Sequence, residues 1–176
     1  IVISDDASSD EVVALACSTI ASCMVERPGV DIALRVLENR PALGVTRNFE
    51  QACLACSGTL IALSDQDDVW PLDRLQRMIA EFERRPELVL LHTDARLVSA
   101  TGEPLGDTLF HALEVQPWEL KRIHGGDAFS VLLRRNLVTG ATTAFRRSLL
   151  AHAAPFPVEW LHDERLGIIG WAVGRI

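Results

Sequence analysis

Leu60-Ile61-Ala62-Leu63-Ser64-Asp65-Gln66-Asp67-Asp68-Val69-Trp70 is the stretch on which the reading of this chain turns. A short apolar run bounded by Gly58 on one side and polar residues on the other has the length of a buried strand. Where that strand ends, Asp65, Asp67 and Asp68 stand within four positions. Carboxylates crowded this way repel one another unless a cation or a ligand's donors compensate. Oxygen-only ligands close in sequence suit Mg²⁺ or Mn²⁺, which take one or two carboxylates and fill their remaining positions with phosphate oxygens. An Asp-x-Asp alone is a common pattern; the apolar strand before it gives it weight.

On both sides, strand and helix alternate. Upstream, Ile1-Val2-Ile3 runs into Ser4-Asp5-Asp6. Ser8 and Glu11 fit a capping box opening a helix to about Glu26, stopped by Pro28-Gly29. Ile32 to Leu37 reads as a second strand. Thr46 caps a second helix carrying Phe49, Ala52, Cys53 and Cys56 at helical spacing, closed by Gly58. Downstream, a helix follows Pro71 with an expected buried stripe of Leu72, Leu75, Met78, Ile79 and Phe82, and Leu88 to Leu91 forms a fourth strand leading to His92-Thr93-Asp94. This alternation predicts an α/β fold with a mostly parallel central sheet, helices on its faces and right-handed crossovers. Ligands of such sheets bind beyond the carboxyl ends of the strands, where Asp5-Asp6, Asp65 to Asp68 and Asp94 are expected to share one rim.

Beyond residue 95 the alternation weakens. Arg96 to Val98 reads as a strand, Asp127 to Arg134 as a helix, Leu137 to Phe145 as a strand and Arg146 to His152 as a short helix. After Pro155-Phe156-Pro157, a last apolar helix begins at His162-Asp163.

With 176 residues, 48% apolar and 23% charged, the chain has the profile of one globular domain. A net charge of -7 without a basic block argues against nucleic acid as a partner. The longest late apolar run, Leu166 to Val173, is far short of the roughly 20 residues that span a bilayer, and the first residues do not resemble a signal peptide. The expected setting is the cytoplasm, or peripherally the inner face of a membrane. Cys53 and Cys56 form a C-x-x-C that admits a zinc reading. Their helical pattern favours the other one, in which all four cysteines, with Cys17 and Cys23, are reduced packing residues.

The Ile1 to Asp10 strand and turn, the loop Asn39 to Gly44, Arg47-Asn48-Phe49, and Ala55 to Trp70 follow in the order seen in family 2 glycosyltransferases, and the chain resembles that family over nearly all its length. The Asp-Gln-Asp-Asp-Val-Trp form resembles its bacterial rhamnosyltransferase branch. The resemblance implies a GT-A-type fold and transfer of a sugar, with inversion, from a dTDP- or UDP-sugar to a hydroxyl of a saccharide or lipid-linked saccharide, in cell-surface polysaccharide synthesis. It implies that the chain begins at the family's second strand, its first strand being missing here, and stops short of the family's last segment. Residues 1–176 are then a single partial domain, with 1–94 the nucleotide-sugar half and 95–176 the acceptor half.

By the same resemblance, Asp5, Asp6 and Arg47 would lie at the nucleotide, Asp65 on its ribose side, and Asp67 or Asp68 on the metal. Thr139, Gly140 and His162 would form the acceptor side, and Asp163 would be the catalytic base. The residue types suit the chemistry. An in-line displacement needs one group to take the acceptor's proton and another to stabilise the departing phosphate.

Two rivals stand beside this reading. In a haloacid-dehalogenase-type phosphatase Asp65 would be the nucleophile and Asp67 the acid/base, but the motif comes late and Lys121 is the only lysine available. The other rival is a truncated nucleotide-binding domain without catalysis.

Overall fold

The computed structural model describes residues 1–8, 11–27, 29 and 31–176. By packing, the chain forms two compact units: Ile1–Ser57 with Ala154–His162, and Gly58–Ala153 with Asp163–Ile176. This division falls elsewhere than the expected division by role at residues 94 and 95.

In the first unit β1 (Val2–Asp5) leads to α1 (Val12–Glu26), β2 (Arg35–Glu38) and α2 (Val45–Ala55). β1 and β2 pair in parallel, Val2 opposite Arg35 and Asp5 opposite Glu38. The capping box expected from Ser8 and Glu11 does not form: Glu11 is the N-cap without a side-chain cap bond, and the Ser8 amide donates instead to Asp5. Ser9 and Asp10 within that motif, and the Pro28 expected to stop the helix, lie outside the described residues. α1 is apolar nearly all round and buries none of its described side chains. α2 starts from Gly44, whose φ of +83° only glycine adopts without strain. Thr46 is therefore inside the helix rather than its cap, and its hydroxyl donates to the Trp160 carbonyl at 2.8 Å. Glu50, buried on α2, accepts the Phe156 amide at 2.7 Å and so fastens the returning segment.

The second unit contains β3 (Leu60–Ala62), α3 (Arg74–Arg84), β4 (Leu90–His92), the hairpin strands β5 (Arg96–Val98) and β6 (Pro104–Thr108), α4 (Leu109–Ala112), α5 (Pro117–His124), α6 (Phe129–Leu132), β7 (Thr143–Arg146), α7 (Leu150–Ala153) and α8, which runs His162–Val173. Its sheet has the order β3-β7-β4, with β7 antiparallel to both neighbours. Among the described residues the strands thus pair as three small sheets and not as one mostly parallel sheet. The late strand, expected as Leu137 to Phe145, enters between β3 and β4 in the opposite sense. It is also shorter than expected, because a 3-10 turn occupies Gly140–Thr142.

Met78, Phe82, Leu88 and Ala144 form a buried cluster against this sheet. Only Met78 and Phe82 of the expected α3 stripe are buried; Leu72, Leu75 and Ile79 are exposed. The helix begins at Arg74, not at Pro71, which leaves Leu72 in the preceding turn, and burial is confined to one i, i+4 pair. On α8, a Cβ at Gly167 would stand 2.9 Å from the Val138 side chain, so that close approach requires glycine. Arg146, at the far end of β7, donates to the Leu88 and Phe82 carbonyls.

All four cysteines are free. Burial pushes the Cys53 thiol up to about 12 and raises that of Cys56, as expected for inert packing thiols, whereas Cys23 is exposed and fills no core.

Candidate active site

Because β3 and β4 both run antiparallel to β7, they point the same way. The Asp65–Asp68 loop that follows β3, Asp94 that follows β4, and the Thr139–Thr142 turn that precedes β7 therefore emerge at one end of the second unit's sheet. Of the acidic residues expected on one rim, Asp65 to Asp68 and Asp94 thus share one end of an antiparallel sheet, whereas Asp5 and Asp6 belong to the first unit. Leu63 donates its amide to the Thr143 carbonyl at 2.9 Å and carries the pairing up to that rim.

Asp163, in the first turn of α8, is buried. Its Oδ2 accepts the Gly140 amide at 2.9 Å; its Oδ1 accepts Asn136 Nδ2 at 3.0 Å and the Glu164 amide at 2.7 Å. Thr139 supplies its carbonyl to the Thr142 amide and to the hydroxyls of Thr142 and Thr143, which fixes the turn that presents Gly140.

Across the same rim, burial raises the pKa of Asp65, and the charges of Asp68, Asp67 and Asp163 raise it further. Asp67 and Asp68 are exposed. Among the described residues no ion pair or hydrogen bond engages the carboxylates of Asp65, Asp67 or Asp68. Asp94 differs: its Oδ1 accepts the Ala95 and Phe110 amides and anchors the chain on either side of the β5–β6 hairpin. Arg74 is a cation at this end. Its guanidinium lies 4.2 Å above the Trp70 ring and donates to the Ala141 carbonyl at 2.6 Å.

In the first unit, the turn after β1 organises a polar network. Asp6 accepts the amides of Leu43 and Gly44 at 2.7 and 2.9 Å and Asn39 Nδ2 at 3.3 Å. Asn39, Asn48, Gln51 and Ser4 are linked to one another by hydrogen bonds of 2.5 to 3.2 Å. Asp5 is buried and takes the Ser8 amide and an Arg40 ion pair at 2.9 Å, which hold its carboxyl below the usual range. Both carboxylates are thus committed to shaping the turn. Ala7 within it has φ +70°, an uncommon left-handed conformation for a residue with a Cβ. Arg47 pairs with Glu50 at 2.7 Å and lines an open groove with Arg35, Leu37 and Leu54. His162 stacks flat on Phe49, ring centroids 3.8 Å apart.

Asp163 and the acidic loop, both singled out from the sequence, lie in one unit with Asn136 and Arg74, which were not; Gln51, in the first unit, was not singled out either. Asn136 stands directly before an apolar pair, a position where an Asx side chain often bonds the backbone two residues on; here it accepts the Val138 amide at 3.0 Å. Gln51 had no comparable local signal.

The model of the family described as Glycosyl transferase family 2 matches residues 1–153. Comparison with curated proteins gives no match.

Proposed function

From a chain that belongs to glycosyl transferase family 2, and so transfers a glycosyl group from a nucleotide-sugar donor to an acceptor, we propose an inverting transferase whose base is Asp163. Membership also sets aside the phosphatase reading. The observation that carries the proposal is the joining of Asp163 to Gly140 at the sheet end that bears the Asp65–Asp68 loop. An ionised carboxylate offers about four lone-pair positions. Three donors, Gly140, Asn136 and Glu164, fix the Asp163 plane and leave a position for the acceptor hydroxyl, whose proton Asp163 takes as the new glycosidic bond forms.

The acidic loop is the partner station. Among the described residues no three His, Cys, Asp or Glu side chains form a closed metal site. Carboxylates without a cation partner are nevertheless a donor set suited to Mg²⁺ or Mn²⁺ when a diphosphate supplies further oxygens. Asp67 and Asp68 would hold the ion and Asp65 the ribose side. When bound, the ion supplies Lewis-acid stabilisation of the departing phosphate. Asp6, in the turn after β1, and Arg47, on α2, are the proposed nucleotide contacts of the first unit, and Asp5 supports the turn of Asp6. Thr139, Gly140 and His162 are the proposed acceptor side, with residues 1–94 serving the donor and 95–176 the acceptor.

The proposed donor is a dTDP- or UDP-sugar, with rhamnose the branch's sugar. The proposed acceptor is a saccharide, free or lipid-linked, in bacterial surface polysaccharide synthesis. No helix among the described residues is long and apolar enough to cross a membrane. The proposed place of work is the cytoplasm, at the inner membrane face for a lipid-linked acceptor.

The deciding experiment is nucleoside diphosphate release from dTDP- and UDP-sugars with Mn²⁺ present. Asp163→Asn is expected to slow transfer by about 10²- to 10⁴-fold while nucleotide affinity measured calorimetrically changes little. Full transfer by Asp163→Asn would remove the base from Asp163.

A further inference from the structure

Arg74 opens α3, six positions beyond Asp68, and does two things at once. Its guanidinium lies over Trp70, the last residue of the acidic stretch, at 4.2 Å, and its Nη2 donates to the Ala141 carbonyl at 2.6 Å. Ala141 is the middle of the 3-10 turn whose first residue, Gly140, donates its amide to Asp163. One side chain therefore spans from the loop bearing Asp65, Asp67 and Asp68 to the turn that orients Asp163.

The arrangement is poor as simple packing. Arg74 Nε and Trp70 Nε1 are buried without a hydrogen-bond partner, and the guanidinium forms no ion pair among the described residues. Partly desolvating a cation on so few bonds costs stability that an apolar side chain of similar volume would not incur. Arginine does suit a stacked, directional tie: its planar group lies flat on an aromatic face while an edge N–H stays aimed at a carbonyl. A lysine ammonium, a point charge, cannot reproduce both contacts.

We propose that Arg74 is a positioning residue that keeps the acidic loop and the Asp163-bearing turn in register. This rests on the reading of Asp163 as the base. Arg74 acts through the Ala141 carbonyl and the Trp70 ring. Register between two stations matters because a misplacement of about 1 Å can slow an in-line reaction roughly 10²-fold.

The test compares the whole protein with Arg74→Met, Arg74→Lys, Asp163→Asn and the Arg74→Met/Asp163→Asn double variant, reading nucleoside diphosphate release from the donor on which the wild type is active, with Mn²⁺. Arg74→Met is expected to lower kcat by about 10- to 100-fold with donor KM within about twofold, and Arg74→Lys to recover only part of the loss. In the Asp163→Asn background, Arg74→Met should add little, since the group it positions is gone. An unchanged kcat in Arg74→Met, full recovery by lysine, or a full multiplicative loss in the double variant would each overturn the proposal. Should Arg74→Met fail to fold, Trp70→Leu removes the platform and leaves the charge, and the same criteria apply to it.

Amide hydrogen exchange at Gly140 and Thr142 separates this proposal from the reading beneath it. Exchange about tenfold faster in Arg74→Met supports the tie even if no donor is turned over, in which case the transferase reading alone falls. Unchanged exchange sinks the tie whatever the activity.

Discussion

The Gly140 amide donates to Oδ2 of Asp163 at 2.9 Å, so a backbone group on the turn before β7 fixes the plane of a carboxylate on α8. Asn136 completes the grip, giving one N–H to Oδ1 of Asp163 while its own oxygen accepts the Val138 amide. Asn136→Ala leaves that amide unpaired and the carboxylate short of a donor. The expected loss is about 1–2 kcal/mol of stability, seen as a lower urea midpoint, together with a roughly tenfold lower kcat at unchanged donor KM. Asn136→Asp sets a second negative charge against Asp163 and is expected to do more harm to both. Wild-type kcat in Asn136→Ala would show that Asp163 needs no such orienting.

His92 supplies the pH test. Burial, with a smaller contribution from the charge of His124, pushes its imidazole down to about 4 from an ordinary 6.5, and its Nδ1 is buried without a partner. A histidine depressed on folding binds its proton more readily when unfolded. Its favourable contribution is complete above 6.5 and is lost as pH falls from there toward 4. The slope from one such group approaches about 1.4 kcal/mol per pH unit. His92→Gln should lie flatter than the wild type over that interval in urea unfolding series; parallel curves would show that His92 is not responsible.

Glu50 tests how the returning segment is fastened. Glu50→Ala strands the Phe156 amide, which is expected to lower stability by about 2 kcal/mol. Glu50→Gln keeps an acceptor for that amide and loses only the pairing with half-exposed Arg47, a loss of about 1 kcal/mol or less. Equal losses in the two variants would place the effect on the Arg47 pair instead.

What could be read in advance followed local rules. β1, β3 and β4 are apolar runs ended by aspartates, and the Asp65–Asp68 loop advertises itself by charge crowding. The pairing was not legible, because nothing local to Leu137 through Phe145 says that β7 will enter antiparallel between β3 and β4. The α3 stripe failed for a related reason: periodicity gives the apolar face, and only tertiary packing decides that Met78 and Phe82 are covered while Leu75 and Ile79 are not. The polar network of Asn39, Asn48 and Gln51 is assembled from separate elements, so no sequence spacing encodes it. Asp5 and Asp6 look alike as neighbours, yet one is buried against Arg40 and the other receives the Leu43 and Gly44 amides.

At the turn before β7, both bonds that matter are made by main-chain atoms: the Gly140 amide toward Asp163 and the Ala141 carbonyl toward Arg74. Neither bond uses the Ala141 side chain. A rim built this way can vary its side chains through mutation or recombination while the main-chain bond that holds the Asp163 carboxylate passes unaltered from one variant to the next.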